Sequence, residues 1–234
     1  SAEVRRLLRQ LKAEGIAGLI LDLRGNQGGS LPEAVSMAGL FIKEGPVVQV
    51  RSDNGSVATL SVKDSALEYD GPLVILVDHI SASASEIVAA ALQDHGRAVI
   101  VGGARTFGKG TIQRLNDLGR EGSPSASLGV KAGALKLTIQ QFHRISGEPI
   151  QFQGVVPDIQ LPSLQDFYEE GEVALKNALP AERVVGAQFI APTQLKSVIN
   201  HAPTQVGSWL PALRLRSALR VKALAVFTRI QEDI

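Results

Sequence analysis

The sequence predicts an α/β protein with an antiparallel β segment and a C-terminal helical appendage. Three apolar runs of strand length, at residues 16–23, 71–78 and 97–101, are separated by stretches with helical periodicity. Such alternation is typical of crossover connections around a parallel sheet, so we expect buried strands there. Between residues 111 and 152 apolar and polar residues alternate instead, which indicates an antiparallel meander.

Helical and strand signals fill the first 62 residues. Residues 3–14 have apolar side chains at positions i, i+3, i+4 and i+7, which predicts an amphipathic helix. Ser30 and Glu33 form an S-x-x-E capping box, which predicts a second helix. Two short strands are expected at residues 47–51 and 57–62. The expected apolar face of the second helix carries Ala34, Met37, Ala38 and Phe41.

Further elements are predicted in the rest of the chain. SASASEIVAAALQD reads as a helix that ends at about Asp94, and a Gly/Ser/Pro break at residues 119–127 divides the meander. LQDFYEEGEVALKNAL, residues 164–179, has a charged helical pattern, and residues 211–232 predict a basic amphipathic helix. The basic face is most simply a solvated helix surface.

The change of character near residue 164 predicts two units. We expect a core at residues 1–163 and a helical appendage at residues 164–234. With 234 residues and 44% hydrophobic composition, the chain is long enough for one substantial core.

Composition excludes several classes of function. The 24 basic and 23 acidic residues are scattered, so neither nucleic acid nor an anionic membrane is a favoured partner. The sequence contains no run of about 18 apolar residues, so membrane insertion is not predicted. The absence of cysteine excludes disulfides and a thiol nucleophile, and no metal-ligand spacing such as H-E-x-x-H occurs.

The stretch GGARTFGKGTIQ resembles a phosphate-binding P-loop but lacks two of its features. From Gly103 it reads G-x-x-x-x-G-K after an apolar run, whereas a P-loop needs Ser or Thr directly after the lysine to bind magnesium. Gly110 stands at that position. The residues that follow, TIQRL, predict a strand where the P-loop requires a helix. The pattern therefore argues against a nucleotide site, and Lys109 needs another explanation.

Ser83 lies where a predicted buried strand meets a predicted helix. Unpaired N–H groups and the positive end of the helix dipole at such a position suit an oxyanion intermediate of acyl transfer. Ser83 and Glu86 also spell S-x-x-E, so the serine equally fits an ordinary helix cap.

A histidine base for Ser83 finds little support in the sequence: His143 and His201 stay open as alternatives, but no pattern places them near the serine. Asp94 follows Ser83 by eleven residues on one predicted helix, about 16 Å along its axis, so the Asp94-His95 pair cannot reach the hydroxyl. A lysine can replace histidine when burial favours its neutral form. We therefore consider Lys109 as the base and Gln113 as a hydrogen-bonding partner that aims the amine.

Four ordered motifs resemble the tail-specific proteases, also called C-terminal processing peptidases. They are LILDLRGNQGGS (19–30), SASASEIVAAALQDHGRA (81–98), TFGKGTIQ (106–113) and GVVPDI (154–159). The surrounding stretch LTIQQFHRISGEPIQFQGVVPDIQLP is most similar to the long bacterial periplasmic branch. The resemblance implies a crotonase-like ββα core, a serine endopeptidase with a serine-lysine dyad, and no cofactor.

By the pattern of that family, Ser83 is the nucleophile, Lys109 the general base and Gln113 its orienting partner. The N–H of Ala84 and one N–H of the Gly28-Gly29 turn form the oxyanion hole. The implied substrates are proteins or peptides with nonpolar C-termini, with an adaptor protein as a possible further partner. The implied location is the periplasm.

Two features depart from the family pattern. The loop GGARTFGKG is one residue longer than the usual segment, which predicts a longer, more mobile loop around Lys109. No PDZ domain, which lies upstream in this family, is recognisable, so we expect a catalytic core fragment. A non-catalytic binding module on the same fold, a fragment in an inactive state, and an esterase or amidase for small molecules remain alternatives.

Overall fold

The computed structural model describes residues 1–63, 67–119, 133–167, 171–185 and 206–232. Its helices and strands are, in chain order, α1 (Ala2–Ala13), β1 (Leu19–Asp22), α2 (Leu31–Ala38), β2 (Gly45–Ser52), β3 (Val57–Val62), β4 (Leu73–Leu76), α3 (Ala84–Asp94), β5 (Val99–Gly102), β6 (Thr111–Asp117), β7 (Ala134–His143), β8 (Ile159–Gln160), α4 (Val206–Ala223) and α5 (Ala225–Glu232).

The parallel sheet has the strand order β1-β4-β5-β8. In its register Asp22 pairs with Leu76, and Leu76 with Val101, so the carboxyl ends of three strands lie side by side. The predicted α/β class is confirmed. Full burial of the first strand is wrong, because β1 is an edge strand and Ile20 is 65% exposed.

The second sheet is antiparallel, with the order β3-β2-β7-β6. Strands β2 and β3 form a hairpin, and β7 pairs with both β2 and β6. The predicted antiparallel segment is therefore confirmed. The Gly/Ser/Pro break at 119–127 falls almost entirely outside the described residues.

Helix α3 joins the two sheets. It contacts β2 in the antiparallel sheet, β5 in the parallel sheet, and α2 beside it. Its residues 85–92 are all buried, which is the pattern of a helix enclosed on every side. Ser83, the residue before this helix, is thus attached to an element that is buried in the core.

The predictions for α1 and α2 are largely confirmed. Ser30 is the N-terminal cap of α2 but makes no side-chain cap hydrogen bond, so the expected capping box is not formed there. Phe41 lies beyond the end of α2 at Ala38, and it is buried in the core rather than on the helix face.

The predicted helix over residues 164–179 is wrong. In the described parts of this stretch, 164–167 and 171–179, the helical structure is limited to the 3-10 turns Leu164–Phe167 and Glu172–Ala174. Gly171 has a φ of +103°, a backbone conformation that does not continue a helix. Local charge periodicity did not reveal that Glu172 is buried against the core.

The last helical region differs in detail from its prediction. Helix α4 starts at Val206, five residues before the predicted start, and contains Pro211; α5 follows after Leu224. Leu215 and Leu219 are exposed, so the expected separation into an apolar buried face and a basic exposed face is not observed in α4. The division of the chain near residue 163 stays a prediction.

Candidate active site

Three loops meet at the carboxyl ends of the parallel strands. The loop after β1 carries Gly28 and Gly29, the loop after β4 leads to Ser83, and the loop after β5 carries Lys109. Ligand sites of open parallel sheets lie at this edge because the connecting loops converge there. Strand adjacency thus brings together three segments that are up to 81 positions apart in the chain.

Ser83 has an unusual backbone at the start of α3, with φ of +57° and ψ of −116°. An ordinary cap residue adopts the extended region and needs no such strain. Glu86 does accept the Ser83 N–H at 2.7 Å, as the S-x-x-E pattern predicts. Strained turns between a strand and a helix expose catalytic serines in other hydrolases, so capping alone does not account for this conformation.

Asn26 fastens the glycine turn to the serine turn. Its backbone oxygen accepts the N–H of Ala82 at 3.0 Å. Its side-chain oxygen Oδ1 accepts the Ser85 hydroxyl and the Gly28 N–H, each at 2.9 Å. The sequence interpretation did not assign this role to Asn26, although its place in the RGNQGG turn was a signal for local hydrogen bonding.

The two turn glycines have different surroundings. A Cβ on Gly28, where φ is +90°, would lie 2.6 Å from the nitrogen of Ala84. The Gly28 N–H is already bound to Asn26, whereas the Gly29 N–H donates to no group among the described residues. Gly29 also lines the cavity beside Ser83 and has open space around its Cα.

Glu86 is the central buried acid of the site. Its Oε2 accepts the N–H groups of Ser83 at 2.7 Å and Lys109 at 3.0 Å. Its Oε1 accepts the Thr106 hydroxyl at 2.5 Å and the Gly108 N–H at 2.7 Å. Burial raises the pKa of Glu86 to about 7, against the opposing effect of these four donors. Sequence reasoning recognised only its capping contact.

Hydrogen bonds fix the backbone of the loop around Lys109 at several residues. Besides the bonds to Glu86, the Phe107 N–H donates to Ser81 at 3.0 Å, and the Gly108 carbonyl accepts the Phe152 N–H at 2.9 Å. The extra residue therefore does not leave the backbone near Lys109 without partners. Strand β6 follows directly, which is consistent with the rejection of a P-loop.

One cavity of about 370 Å³ collects most of the predicted site residues. Ser83, Ala84, Gly29, Lys109 and Gln113 all line it, and Gly28 lies behind the serine turn. Ser83 and Lys109 are half-buried, while Gln113 is exposed. The remaining lining includes the apolar side chains of Leu31, Ile87, Ile112 and Phe142, together with Ser30, Thr111 and Lys136.

The described histidines lie elsewhere. His95 and His143 hydrogen-bond backbone carbonyls of Pro46 and Glu182, and burial lowers the pKa of both rings. His79 does not line the cavity, and His201 is outside the described residues. A serine-histidine pair is thus absent from the described part of this cavity.

Asp94 has a different partner. It forms an ion pair with Arg144, and both side chains are largely buried. The Nε of Arg144 donates to Oδ1 of Asp94 at 3.2 Å. Asp94 also lies outside the cavity lining, as the distance along α3 predicts.

The described ranges contain neither a metal-binding cluster nor a membrane-spanning helix. Within them, no group of three or more His, Asp or Glu side chains is arranged to hold a metal ion. Of the helices described, none is both long and apolar enough to cross a bilayer.

One cavity on an α/β core thus brings Ser83 and Lys109 together, and comparison with known proteins identifies the family. Residues 1–161 match the profile of peptidase family S41. The tail-specific protease of Haemophilus influenzae is 39% identical over 202 residues, covering 85% of this chain and 28% of that protein. The carboxy-terminal-processing protease of Bartonella bacilliformis is 34% identical over 80% of this chain and 41% of its own length.

A solved structure agrees with these relatives. The photosystem II D1 C-terminal processing protease is 36% identical and superposes with a TM-score of 0.58, covering 68% of this chain and 38% of that one. The chain belongs to peptidase family S41. It spans between 28% and 41% of the length of the relatives described above. The resemblance of its four motifs to C-terminal processing peptidases is thereby confirmed.

Proposed function

We propose that this chain is the catalytic core of a serine endopeptidase that uses Ser83 and Lys109 as a dyad. Lys109, as the general base, removes the proton from the Ser83 hydroxyl, whose oxygen attacks the carbonyl carbon of the scissile peptide bond. Lys109 then gives this proton to the leaving amine. Water hydrolyses the acyl-enzyme in the second half of the reaction, with Lys109 again acting as base.

Backbone N–H groups stabilise the tetrahedral intermediate in this proposal. Ala84 is the first residue of α3, so its N–H has no partner within the helix. The second donor is the N–H of Gly29 rather than Gly28, because the Gly28 N–H is bound to Asn26. Preorganised donors of this kind contribute roughly 3–4 kcal/mol each to transition-state stabilisation.

The observation that carries the proposal is that Ser83, Lys109 and the two oxyanion donors line one cavity. Gln113 lines it as well, and we assign it the role of orienting the lysine amine. The strained backbone of Ser83 supports a functional role, because strain of this kind persists where the surrounding structure enforces it.

Protein substrates with nonpolar C-termini are the proposed substrate class. Leu31, Ile87, Ile112 and Phe142 give the cavity an apolar lining suited to an aliphatic side chain next to the scissile bond. The names of the relatives, a tail-specific and a carboxy-terminal-processing protease, support cleavage near C-termini. A periplasmic location and an adaptor protein are further proposals that come from the family resemblance.

Cleavage of an unfolded protein with an apolar C-terminal tail tests this function. In the protein at its full natural length, we expect Ser83→Ala and Lys109→Ala each to lower kcat/KM at least about a thousandfold. Ser56→Ala and Lys63→Ala, on exposed positions away from the cavity, serve as matched controls. Unchanged cleavage by both dyad variants, with circular dichroism matching the wild type, would refute the dyad. Substrate that binds both the wild type and Ser83→Ala but is cut by neither of them would indicate a binding module.

A further inference from the structure

Gln151 holds the lysine loop at Gly110, one residue beyond the last of the loop's bonds with Glu86. Its Oε1 accepts the N–H of Gly110, the residue after Lys109, at 2.8 Å. A Cβ on Gly110 would lie 2.5 Å from the backbone nitrogen of Gln151, so the two backbones are in direct contact. Any displacement of Gln151 therefore moves the backbone next to Lys109.

The amide of Gln151 has a single permitted orientation. The side chain is 2% exposed, and its Nε2 donates to Oε1 of Glu172 at 3.1 Å and to the carbonyl of Leu179 at 2.9 Å. Because Oε1 must face an N–H and Nε2 must face two acceptors, rotating the amide would break all three bonds. Every polar atom of this buried side chain is thus engaged.

The segment behind Gln151 lies beyond the family match, which ends at residue 161. In this segment Glu172 is buried, and its N–H donates to the carbonyl of Phe107 at 2.9 Å. Residues 172–179 therefore reach the lysine loop twice, directly at Phe107 and through Gln151 at Gly110. These two points lie two positions before and one position after Lys109.

We infer that Gln151 is a positioning residue for Lys109, and that Glu172 and Leu179 fix Gln151 for this role. The inference rests on the proposed function. An error of about 1 Å in the placement of a reacting group costs about a hundredfold in rate. The described residues 172–179 thus act on the position of the lysine through Gln151 and Phe107 without lining the cavity themselves.

A charge exchange between Gln151 and Glu172 tests the inference in the full-length protein. Gln151→Glu keeps an acceptor for the Gly110 N–H but sets a second carboxylate against Glu172 and the Leu179 carbonyl. We expect kcat to fall roughly 10–100-fold with KM within about twofold. Glu172→Gln keeps an acceptor oxygen for the Gln151 amide, so its kcat should stay within about threefold of the wild type.

The double variant is the decisive comparison. In the double variant one carboxylate again faces one amide, although the Leu179 carbonyl loses its donor. We therefore expect its kcat to be at least about fivefold higher than that of Gln151→Glu. Amide hydrogen exchange of residues 106–112 should rise in Gln151→Glu and fall again in the double variant, whether or not substrate is present.

The results separate this inference from the proposed function. A folded Gln151→Glu variant with wild-type kcat overturns the positioning role, even if amide exchange in the loop rises. A double variant with no recovery of kcat and the exchange pattern of Gln151→Glu also overturns it. If Ser83→Ala and Lys109→Ala cleave normally in the same assay, the dyad itself fails, and amide exchange alone then decides whether Gln151 holds the loop.

Discussion

Ser83 and Lys109 donate their backbone N–H groups to the same oxygen, Oε2 of Glu86, at 2.7 Å and 3.0 Å. The two residues come from loops that follow the neighbouring strands β4 and β5. One buried carboxylate therefore fixes the separation of both backbones. A shared acceptor of this kind couples the serine turn to the lysine loop more tightly than separate contacts would.

Replacement of Glu86 by glutamine should misplace both loops. An amide offers one acceptor oxygen instead of two, and its NH₂ group would face N–H donors. At pH 8, where Glu86 is ionised, we expect Glu86→Gln to lower kcat about 10–100-fold and the free energy of unfolding by roughly 2–4 kcal/mol. Peptidase kinetics and urea unfolding measure the two effects. The exposed Glu44→Gln is the control, and a Glu86→Gln variant with wild-type kcat contradicts this prediction.

Glu86 also predicts a pH dependence of stability. Its pKa is about 7 in the folded protein, above the value of 4.5 expected for an unperturbed glutamate. Between these values the folded state binds more protons than the unfolded state, so this residue's contribution to the free energy of unfolding falls as pH rises from about 4.5 to about 7. The change amounts to about 3 kcal/mol and levels off above pH 7.

The difference between wild type and Glu86→Gln isolates this contribution. Burial lowers the pKa of His95 and His143, which destabilises the fold at acidic pH in both proteins and cancels in the difference. Urea unfolding at pH 5, 6, 7 and 8 should give a wild-type advantage that shrinks up to pH 7. A difference independent of pH would mean that Glu86 is ionised throughout this range.

The fold was largely readable from the sequence because its strands and α3 follow their hydrophobic patterns. Apolar runs located β1, β4 and β5 of the parallel sheet but not the two-residue strand β8, and alternation located β6 and β7. The failures have tertiary causes. Ile20 is exposed because β1 lies at the sheet edge, and the described residues of 164–179 form no α-helix because Gly171 turns the chain and Glu172 is buried against the core.

The predicted site residues came from motifs, whereas their supports came from contacts between distant segments. Ser83, Lys109 and Gln113 stand in short, recognisable patterns. Asn26 and Gln151 act through hydrogen bonds to residues that are distant in the sequence, Ser85 and Gly110. Local periodicity gives no information about such long-range pairs. For Gln151, a polar residue between the apolar Ile150 and Phe152 was the available signal, but its burial could be known only from the fold.

Gly28 and Gly29 should respond differently to the same added methyl group. In Gly28→Ala the Cβ would lie 2.6 Å from both the Ala84 nitrogen and the Ala82 carbonyl, at a φ of +90°. We expect a loss of roughly 2–4 kcal/mol in the free energy of unfolding. Gly29→Ala has open space, so its stability should change by less than about 0.5 kcal/mol. Equal stabilities of the two variants in urea unfolding would contradict the close approach of Gly28 to the serine turn.

Asp94 should affect stability but not chemistry. Asp94→Ala leaves the largely buried Arg144 without its carboxylate, which we expect to cost about 3 kcal/mol of stability. Because Asp94 does not line the cavity, kcat per folded molecule should stay within about twofold of the wild type. Asp94→Leu combined with Arg144→Met removes both charges, so it should be more stable than Asp94→Ala. A folded Asp94→Ala variant with kcat lowered a hundredfold would contradict this prediction and assign the carboxylate to the reaction. Such a role is not expected, because Asp94 lies eleven residues after Ser83, about 16 Å along α3.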